Sequence, residues 1–532
     1  MTVSTSTPSA CVSLTQAVLD KPQGLSNHIA LPTYDRRSLT AGIVHFGVGG
    51  FHRAHQAMYL DQLMNQGEAH DWGIVGVGAM PGDRRMQEAL AAQDYLFTLM
   101  VKHSDGRIDA RVIGSMIDYL FAPDDPEAVI ERLCDPAIRI VSLTVTEGGY
   151  NFHQITGDYD VDAPAVVHDL ANPTRPQTTF GLVIEALVRR RQRGIAPFTI
   201  MSCDNIQGNG DVASRMFVAH ARALDAQRTA DSDAGTGGLG DWIASHVSFP
   251  NSMVDRITPV TTQEDIALLE SSFGLTDRWP VTCEPFTQWV LEDHFGHTAG
   301  GEERGGEAER RPAFEKVGVQ LVDDVVPYEL MKLRLLNASH QALTYLGYLA
   351  GFRYAHEVCQ DSLFIDFLLA YMDREATPTL SPLPGVDLAA YKRTLIERFA
   401  NPNIRDTLAR LCAESSDRIP KWLVPVVHQQ LAAEGDVRLC AAIIASWARY
   451  AEGIDEQGEA IAVVDRLSER LTRIALTQKA HPLAFLEQQD LFGDLATVPC
   501  FADAYVAVLN DLHQLGARVA LERLMASLDA SR

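Results

Sequence analysis

Over the first 325 positions the apolar residues fall into short buried runs separated by helical stretches. Ile43–Val48 is a compact apolar run ending in glycines, and a helical stretch from about 52 to 66 follows it. Trp72–Val77 reads as a second buried strand, and 138–146, full of β-branched residues, as another. Between them, 95–102 and 107–120 alternate apolar with polar residues on either side of Ser104-Asp105-Gly106, the pattern of a hairpin. Thr179–Arg193 has helical spacing with Gly194 placed to stop it, and Phe198–Ser202 is a further strand. Strands alternating with helices predict a mostly parallel sheet with helices on its faces.

Beyond about residue 325 the period changes. Apolar residues recur at helical spacing in 328–350, 362–373, 387–399, 404–413, 437–450 and 459–476, with few strand signals. Ala226–Gly240 and His297–Pro312, rich in glycine and charge, are expected to be surface loops.

The first strand runs into Gly47-Val48-Gly49-Gly50-Phe51-His52-Arg53 and then into a helix. Glycines at such a turn let the backbone approach a pyrophosphate at the helix N-terminus. The third glycine of the dinucleotide fingerprint is missing, and His52 stands in its place. A plain strand-to-helix turn contains the same G-x-G, so the context of a first α/β strand carries the reading. After the second strand, Asp83 is the acid expected to meet an adenosine ribose and so to favour NAD over NADP. Asp83 is equally placed to cap a helix starting at Arg84, and Arg84 with Arg85 would suit the 2′-phosphate of NADP. The fold expected is an α/β N-terminal Rossmann-type domain over 41–322, preceded by an extension over 1–40, and a mainly α-helical C-terminal domain over 323–532.

The second chemical signal is Tyr328–His340. Read as an α-helix, it advances roughly 100° per residue. Glu329, His340 and Asn337 then lie about 60°, 80° and 140° from Lys332. A solvated face of an amphipathic helix has the same pattern. A cation able to shed its proton, beside neutral hydrogen-bond donors, is what carbonyl–alcohol interconversion requires. A lysine has an ordinary pKa of about 10.4, so this role needs burial to lower it.

A formal charge of −24 argues against nucleic acid or an anionic membrane as a general partner. Eight cysteines without a C-x-x-C pair fit reduced thiols rather than a disulfide framework, with Cys203 and Cys283 expected in the core. No zinc-spaced Cys/His cluster stands out, so no metal is expected. The first twenty residues lack a basic stretch and a long apolar run, and no segment has the length of a membrane span. A cytoplasmic enzyme with a small-molecule substrate, a monomer or small homo-oligomer, is the expectation.

Ile43-Val-His-Phe-Gly-Val-Gly-Gly-Phe-His-Arg-Ala-His55 resembles the N-terminal signature of the polyol-specific long-chain dehydrogenases. Phe249-Pro-Asn-Ser-Met-Val-Asp-Arg-Ile-Thr-Pro259 is similar to that family's internal signature, and Lys332, Asn337 and His340 match its catalytic helix. Thr146-Glu-Gly-Gly-Tyr150 and Met201-Ser-Cys-Asp-Asn205 also fit. The likeness runs from about 40 to beyond 450, broken by the two loops. It implies NAD-dependent interconversion of D-mannitol and D-fructose by hydride transfer at C2, with a D-arabinitol dehydrogenase or fructuronate reductase as the alternative within the family. A cofactor-binding protein without catalysis is the alternative of another class.

By resemblance, Lys332 is the general acid–base, Asn205 and Asn337 bind the developing oxyanion, and Glu329 passes protons between Lys332 and solvent. His340, Asp255 and Arg410 position substrate hydroxyls. Val44, Gly47, Val48, Gly49, Gly50, Phe51, His52, Arg53 and Asp83 form the cofactor site. From the residues alone, Asp255 suits pairing with Arg256 and Arg410 an ordinary helical pairing with Asp406. Arg418 and Lys421 are further cations that a pocket or a solvated surface would accommodate. His52 and His55 read as packing residues.

Overall fold

The computed structural model describes residues 11–529 apart from 24, 27, 153–156, 229–237 and 297–309. Most of both expected surface loops therefore lies outside the described residues. The chain divides into two compact units, Met1–Val325 and Val326–Arg532.

The first unit is built on a five-stranded, all-parallel sheet. In chain order its strands are β1 (Ala41–Phe46), β2 (Gly73–Gly78), β5 (Met116–Phe121), β6 (Ile140–Leu143) and β7 (Thr199–Ser202), and in space they run β5-β2-β1-β6-β7. Register pairs Val44 with Val75 on one side and with Val141 on the other. Among the helices of this unit are α1 (Gly50–Ala54), α2 (Gln56–Asn65), α3 (Arg84–Ala91), α4 (Thr179–Gln192) and α5 (Asn209–Arg228).

Both faces of the sheet are covered. Val44, Phe46, Val75 and Val141 enter one core with Phe180 and Leu187 of α4, while Ile43, Ile74 and Ile140 enter the other with Ala57, Leu60 and Leu63 of α2. Double burial is why these strands read as continuous apolar runs. The strand order reverses between β1 and β6. A crevice outside the carboxyl ends of strands at such a switch point is where open α/β sheets bind ligands.

The hairpin forms as expected, with β3 (Phe97–Lys102) antiparallel to β4 (Ile108–Ile113) and Gly106 at φ +85° in its turn. The stretch 107–120, however, is two strands in two sheets, broken at Gly114-Ser115. Distant buried groups hold the backbone there. Gly114 N–H donates to the Asp61 carboxylate at 3.0 Å, and Arg36 Nε donates to Gly114 O at 2.9 Å. A third sheet, β8 (Ser252–Asp255), β10 (Gln288–Glu292) and β11 (Gln320–Val322), accompanies β9 (Val281–Cys283), which pairs with β3. Cys203 and Cys283 are buried, and burial pushes the Cys283 thiol up to about 12.

Among the described residues the second unit contains no strand. Its main helices are α6 (Val326–Met331), α7 (Ala338–Leu349), α8 (Ser362–Tyr371), α9 (Leu388–Phe399), α10 (Leu408–Cys412), α11 (Arg438–Tyr450), α12 (Ser468–Ala475), α13 (Pro499–Leu515) and α14 (Ala517–Asp529). The helical spacing over 459–476 yields a helix only from Ser468. Upstream, the Asp455 carboxylate captures the Gln457 and Glu459 amides in a tight turn, with Gly458 at φ +85°. The two C-terminal helices were not among the expected segments. Pro499 starts the first, and Gly516 at φ +81° separates it from the second.

Glu375 is a buried carboxylate in a π-helical turn, Met372–Ala376, and it accepts from the Leu439 and Cys440 amides at the start of α11, both at 2.7 Å. Burial first, with Asp436 adding to it, raises its pKa to about 7, against the lowering effect of those bonds; Arg438 and the Cys440 thiol also face it. A carboxyl whose folded pKa lies above its unfolded value stabilises fully below the unfolded value, and that contribution is lost as pH rises through the folded value. Thermal stability is therefore expected to lose a component between roughly pH 4.5 and 7. Glu375→Gln should flatten that part of a calorimetric Tm-against-pH profile, and an unchanged slope would remove Glu375 as its source.

Candidate active site

The glycine turn leaves the carboxyl end of β1 beside β6, at the switch point. Gly47 has φ +89°, and a Cβ there would lie 2.1 Å from Thr144 O, so only glycine fits. At Gly49 an added Cβ would meet nothing closer than 3.8 Å, which leaves the backbone open to a ligand. Thr144 Oγ1 donates to Gly47 O at 2.6 Å and lies 2.9 Å from His45 Nε2, while His45 Nδ1 lies 2.8 Å from Ser142 Oγ. Burial pushes His45 down to about 3, so the ring is neutral.

His52 explains the missing third glycine. Its ring stacks on His45 with centroids 3.5 Å apart, filling the space where a close helix–strand contact would otherwise form. Burial, followed by the neighbouring His45, Arg53 and His55, drives its pKa well down. Val44 is fully buried in the sheet, and Arg53 is buried with its guanidinium donating to Gly49 O at 3.3 Å and to Trp279 O. Val44, His52 and Arg53 thus brace the turn from inside the protein. Val48 is also buried, whereas Gly49, Gly50 and Phe51 are partly exposed.

Asp83 follows β2 and is partly exposed. Its Oδ2 accepts from Met80 N–H at 2.9 Å, and its side chain makes no capping bond to α3. Gly78 makes room for it, since a Cβ there would lie 2.7 Å from Asp83 Cβ. Arg84 pairs with Asp124 and lies over the Phe121 ring at 4.4 Å, and Arg85 lies over Trp279 at 5.5 Å.

Asn205 is exposed just beyond β7, and Asp255 is buried at the end of β8. The end of β7 is tied to the start of β8. Ser252 Oγ donates to Ser202 O at 2.7 Å, and Asn209 Nδ2 bridges Asp204 O and Ser252 O at 2.9 and 2.8 Å. Arg256 donates to Ala54 O at 2.6 Å and to Glu284 O, so the internal signature anchors the end of α1.

In the second unit the expected α-helix over 328–340 is not regular. Lys332–Asn337 is π-helical, entered from α6 and continued by α7. Its bonds span five residues instead of four, so residues five apart fall one above another. Lys332 and Asn337, which α-geometry would separate by about 140°, are thereby brought to one side. Such turns occur often at functional sites. Lys332 is 7% exposed, Asn337 5% and Glu329 5%, and Asn337 Oδ1 is buried without a hydrogen-bond partner. His340, one turn on, is partly exposed with its ring 4.6 Å from Phe399. Arg410 on α10 donates to both Asp406 oxygens, at 2.6 and 2.5 Å, and Arg418 donates to Leu411 O at 3.0 Å.

The two units match two successive family models. Residues 41–299 match the mannitol dehydrogenase Rossmann domain and 324–513 the mannitol dehydrogenase C-terminal domain. The chain belongs to the mannitol dehydrogenase family. It is 43% identical to a mannitol 2-dehydrogenase of Pyrenophora tritici-repentis over 97% of this chain and 87% of that one. A mannitol 2-dehydrogenase of Neosartorya fischeri is 43% identical over 92% and 94%. Among solved structures, the Pseudomonas fluorescens mannitol 2-dehydrogenase ternary complex with NAD and D-mannitol matches with TM-score 0.82 and 43% identity, over 97% of this chain and all of that one. A D-sorbitol dehydrogenase in substrate-free form matches with TM-score 0.85 and 35% identity, over 96% and all.

As a member of the mannitol dehydrogenase family the chain is an oxidoreductase. Among the described residues no group of three or more His, Cys, Asp or Glu is gathered to hold a metal, and no helix is long and apolar enough to cross a membrane. Reading by motif missed two features of this site. One is the polar chain through His45, Ser142 and Thr144. The other is the strain inside the Thr146–Tyr150 motif, where Thr146 takes φ +61°, ψ 171°, a conformation that costs on the order of 1–3 kcal/mol for any residue but glycine. His45 and Ser142 do stand as polar residues inside apolar runs, and that was the available signal.

Proposed function

We propose that this chain interconverts D-mannitol and D-fructose with NAD, transferring hydride at C2, with Lys332 as general acid–base. The observation that carries the chemistry is the π-turn, with its buried amine and its buried, unpartnered amide oxygen on one side. The choice of substrate and cofactor rests on the relatives of known structure and name.

NADH, when bound, supplies the hydride. Gly47, Val48, Gly49, Gly50 and Phe51 would hold the pyrophosphate portion and Asp83 the ribose hydroxyls, with Val44, His52 and Arg53 supporting the turn. The open backbone at Gly49 fits such a group.

In ketose reduction Lys332 Nζ gives a proton to the C2 oxygen, and in polyol oxidation it takes the proton from the C2 hydroxyl. Asn205 and Asn337 donate side-chain N–H to that oxygen as it gains charge. Asn337 Oδ1, lacking a donor, suits a polyol hydroxyl. Glu329, three residues before Lys332, relays the proton, and Asp255 and His340 orient the remaining hydroxyls.

A uronate would need a cation for its carboxylate. Arg410 is paired with Asp406, which leaves Arg418, whose guanidinium donates to Leu411 O, as the cation to receive it.

Initial rates of NADH oxidation with fructose, fructuronate and xylulose test this reading, and fructose should be the best substrate. Faster turnover of either rival would replace it. NADH should outperform NADPH, and Asp83→Ala should narrow that preference at least tenfold by removing the repulsion of a 2′-phosphate. An unchanged ratio would take Asp83 out of cofactor choice.

A further inference from the structure

We propose that Asp204 is a positioning residue for cofactor binding: its carboxylate holds the strained Thr146 backbone, and with it the loop beyond β6, in the geometry that receives the dinucleotide. The inference rests on the NAD-dependent reading above.

Three groups of one loop converge on this side chain. Asp204 Oδ1 accepts from Thr146 N–H at 2.7 Å, and Oδ2 accepts from Val145 N–H at 3.2 Å and from the Tyr150 hydroxyl at 2.8 Å. The carboxylate is 6% exposed, and its own backbone is fastened to β7 through Ser202 Oγ at 3.3 Å. The loop is thus tied to a rigid strand end chiefly through Asp204, and the Tyr150 hydroxyl also lies 2.7 Å from Ser202 Oγ.

What the tie maintains is unusual. Thr146 sits at φ +61°, ψ 171°, a region essentially reserved for glycine, and such conformations persist only where the surroundings over-determine them. The Thr146 side chain is exposed, so packing of its methyl or hydroxyl does not account for the backbone. Two residues earlier, Thr144 touches the glycine turn at Gly47 O. The loop therefore leaves β6 on the crevice side of the switch point, where a dinucleotide crosses the sheet. Asp204 also directly precedes Asn205, so the same anchor fixes where that amide is displayed.

The test is fluorescence titration of the full-length protein with NADH, with Tm recorded on every variant. In Asp204→Asn, one amide oxygen cannot satisfy three donors, and the Kd for NADH should rise at least tenfold. Thr146→Gly adopts the same backbone without strain. Alone it should keep wild-type affinity with an equal or higher Tm. Combined with Asp204→Asn it should bring the Kd back to within about threefold of wild type, because glycine no longer needs holding.

A purely structural carboxylate predicts a different pattern: a lower Tm, an unchanged Kd in the folded fraction and no rescue by glycine. Either an unchanged Kd in folded Asp204→Asn or a failure of Thr146→Gly to restore it overturns the proposal. Should Asp204→Asn not fold, Tyr150→Phe removes one of the three donors. It should raise the Kd about threefold and be suppressed by Thr146→Gly in the same way, and no rise or no suppression overturns the proposal. Absence of NADH binding by the wild-type chain would overturn the NAD-dependent reading as well, whereas normal wild-type binding with an unaffected variant sinks this inference alone.

Discussion

Lys332→Ala is expected to lower kcat for fructose reduction by about 10²–10⁴-fold, the range that a positioned general acid–base contributes. The same variant should bind NADH within about twofold of wild type. The separation follows from the role. In the proposed role the amine would act on the sugar oxygen only as charge develops there, so its loss would raise the barrier without removing a contact to the dinucleotide. Lys332 lies in a π-turn among buried leucines, and methionine matches its apolar stem, so Lys332→Met controls for packing. Stopped-flow reduction and equilibrium NADH titration of both variants give the two quantities separately. A variant that retains a tenth of wild-type turnover would remove Lys332 from proton transfer.

Gly47→Ala carries the second large effect. A side chain at φ +89° costs about 1–2 kcal/mol, and the new Cβ would also lie 2.1 Å from a backbone oxygen of Thr144. A backbone clash cannot be relieved by turning a side chain, so β1 and β6 must part at the switch point. NADH affinity should fall at least tenfold, which corresponds to about 1.4 kcal/mol, and Tm should fall with it. Gly67→Ala is the matched control, because Gly67 has φ +85° and an added Cβ there meets nothing within 4 Å. It should bear a similar backbone cost and leave NADH binding intact. Equal NADH affinity in the two variants would show that the turn does not form the cofactor site.

Much of this architecture was legible along the chain. Strands buried on both faces have no polar side to show, so Ile43–Val48 and Trp72–Val77 stood out as near-continuous apolar runs. The change of period near residue 325 marked the helical half because one pattern serves a sheet and the other a bundle. Legibility ended where a side chain captured the backbone. The break at Gly114 depends on Asp61 and Arg36, and the loss of helix before Ser468 depends on Asp455, and neither leaves a periodic trace.

The same division holds at the candidate site. The glycine turn, Asp83, Lys332, Asn337 and His340 were legible in the local sequence, and Asn205 and Asp255 through the family likeness. Their geometry was not. A regular helix would put Lys332 and Asn337 on different faces, and only the five-residue bonding of the folded segment brings them to one side. His52 likewise looked like an imperfect glycine position until β1 placed His45 beneath it. By itself the sequence determined the two fold classes, which follow from the period of its apolar residues, and the family likeness with its candidate reactive groups, which follows from several motifs in order along the chain. Tertiary structure decided the strain at Thr146 and the break at Gly114, because each depends on which distant atoms are within reach of a hydrogen bond.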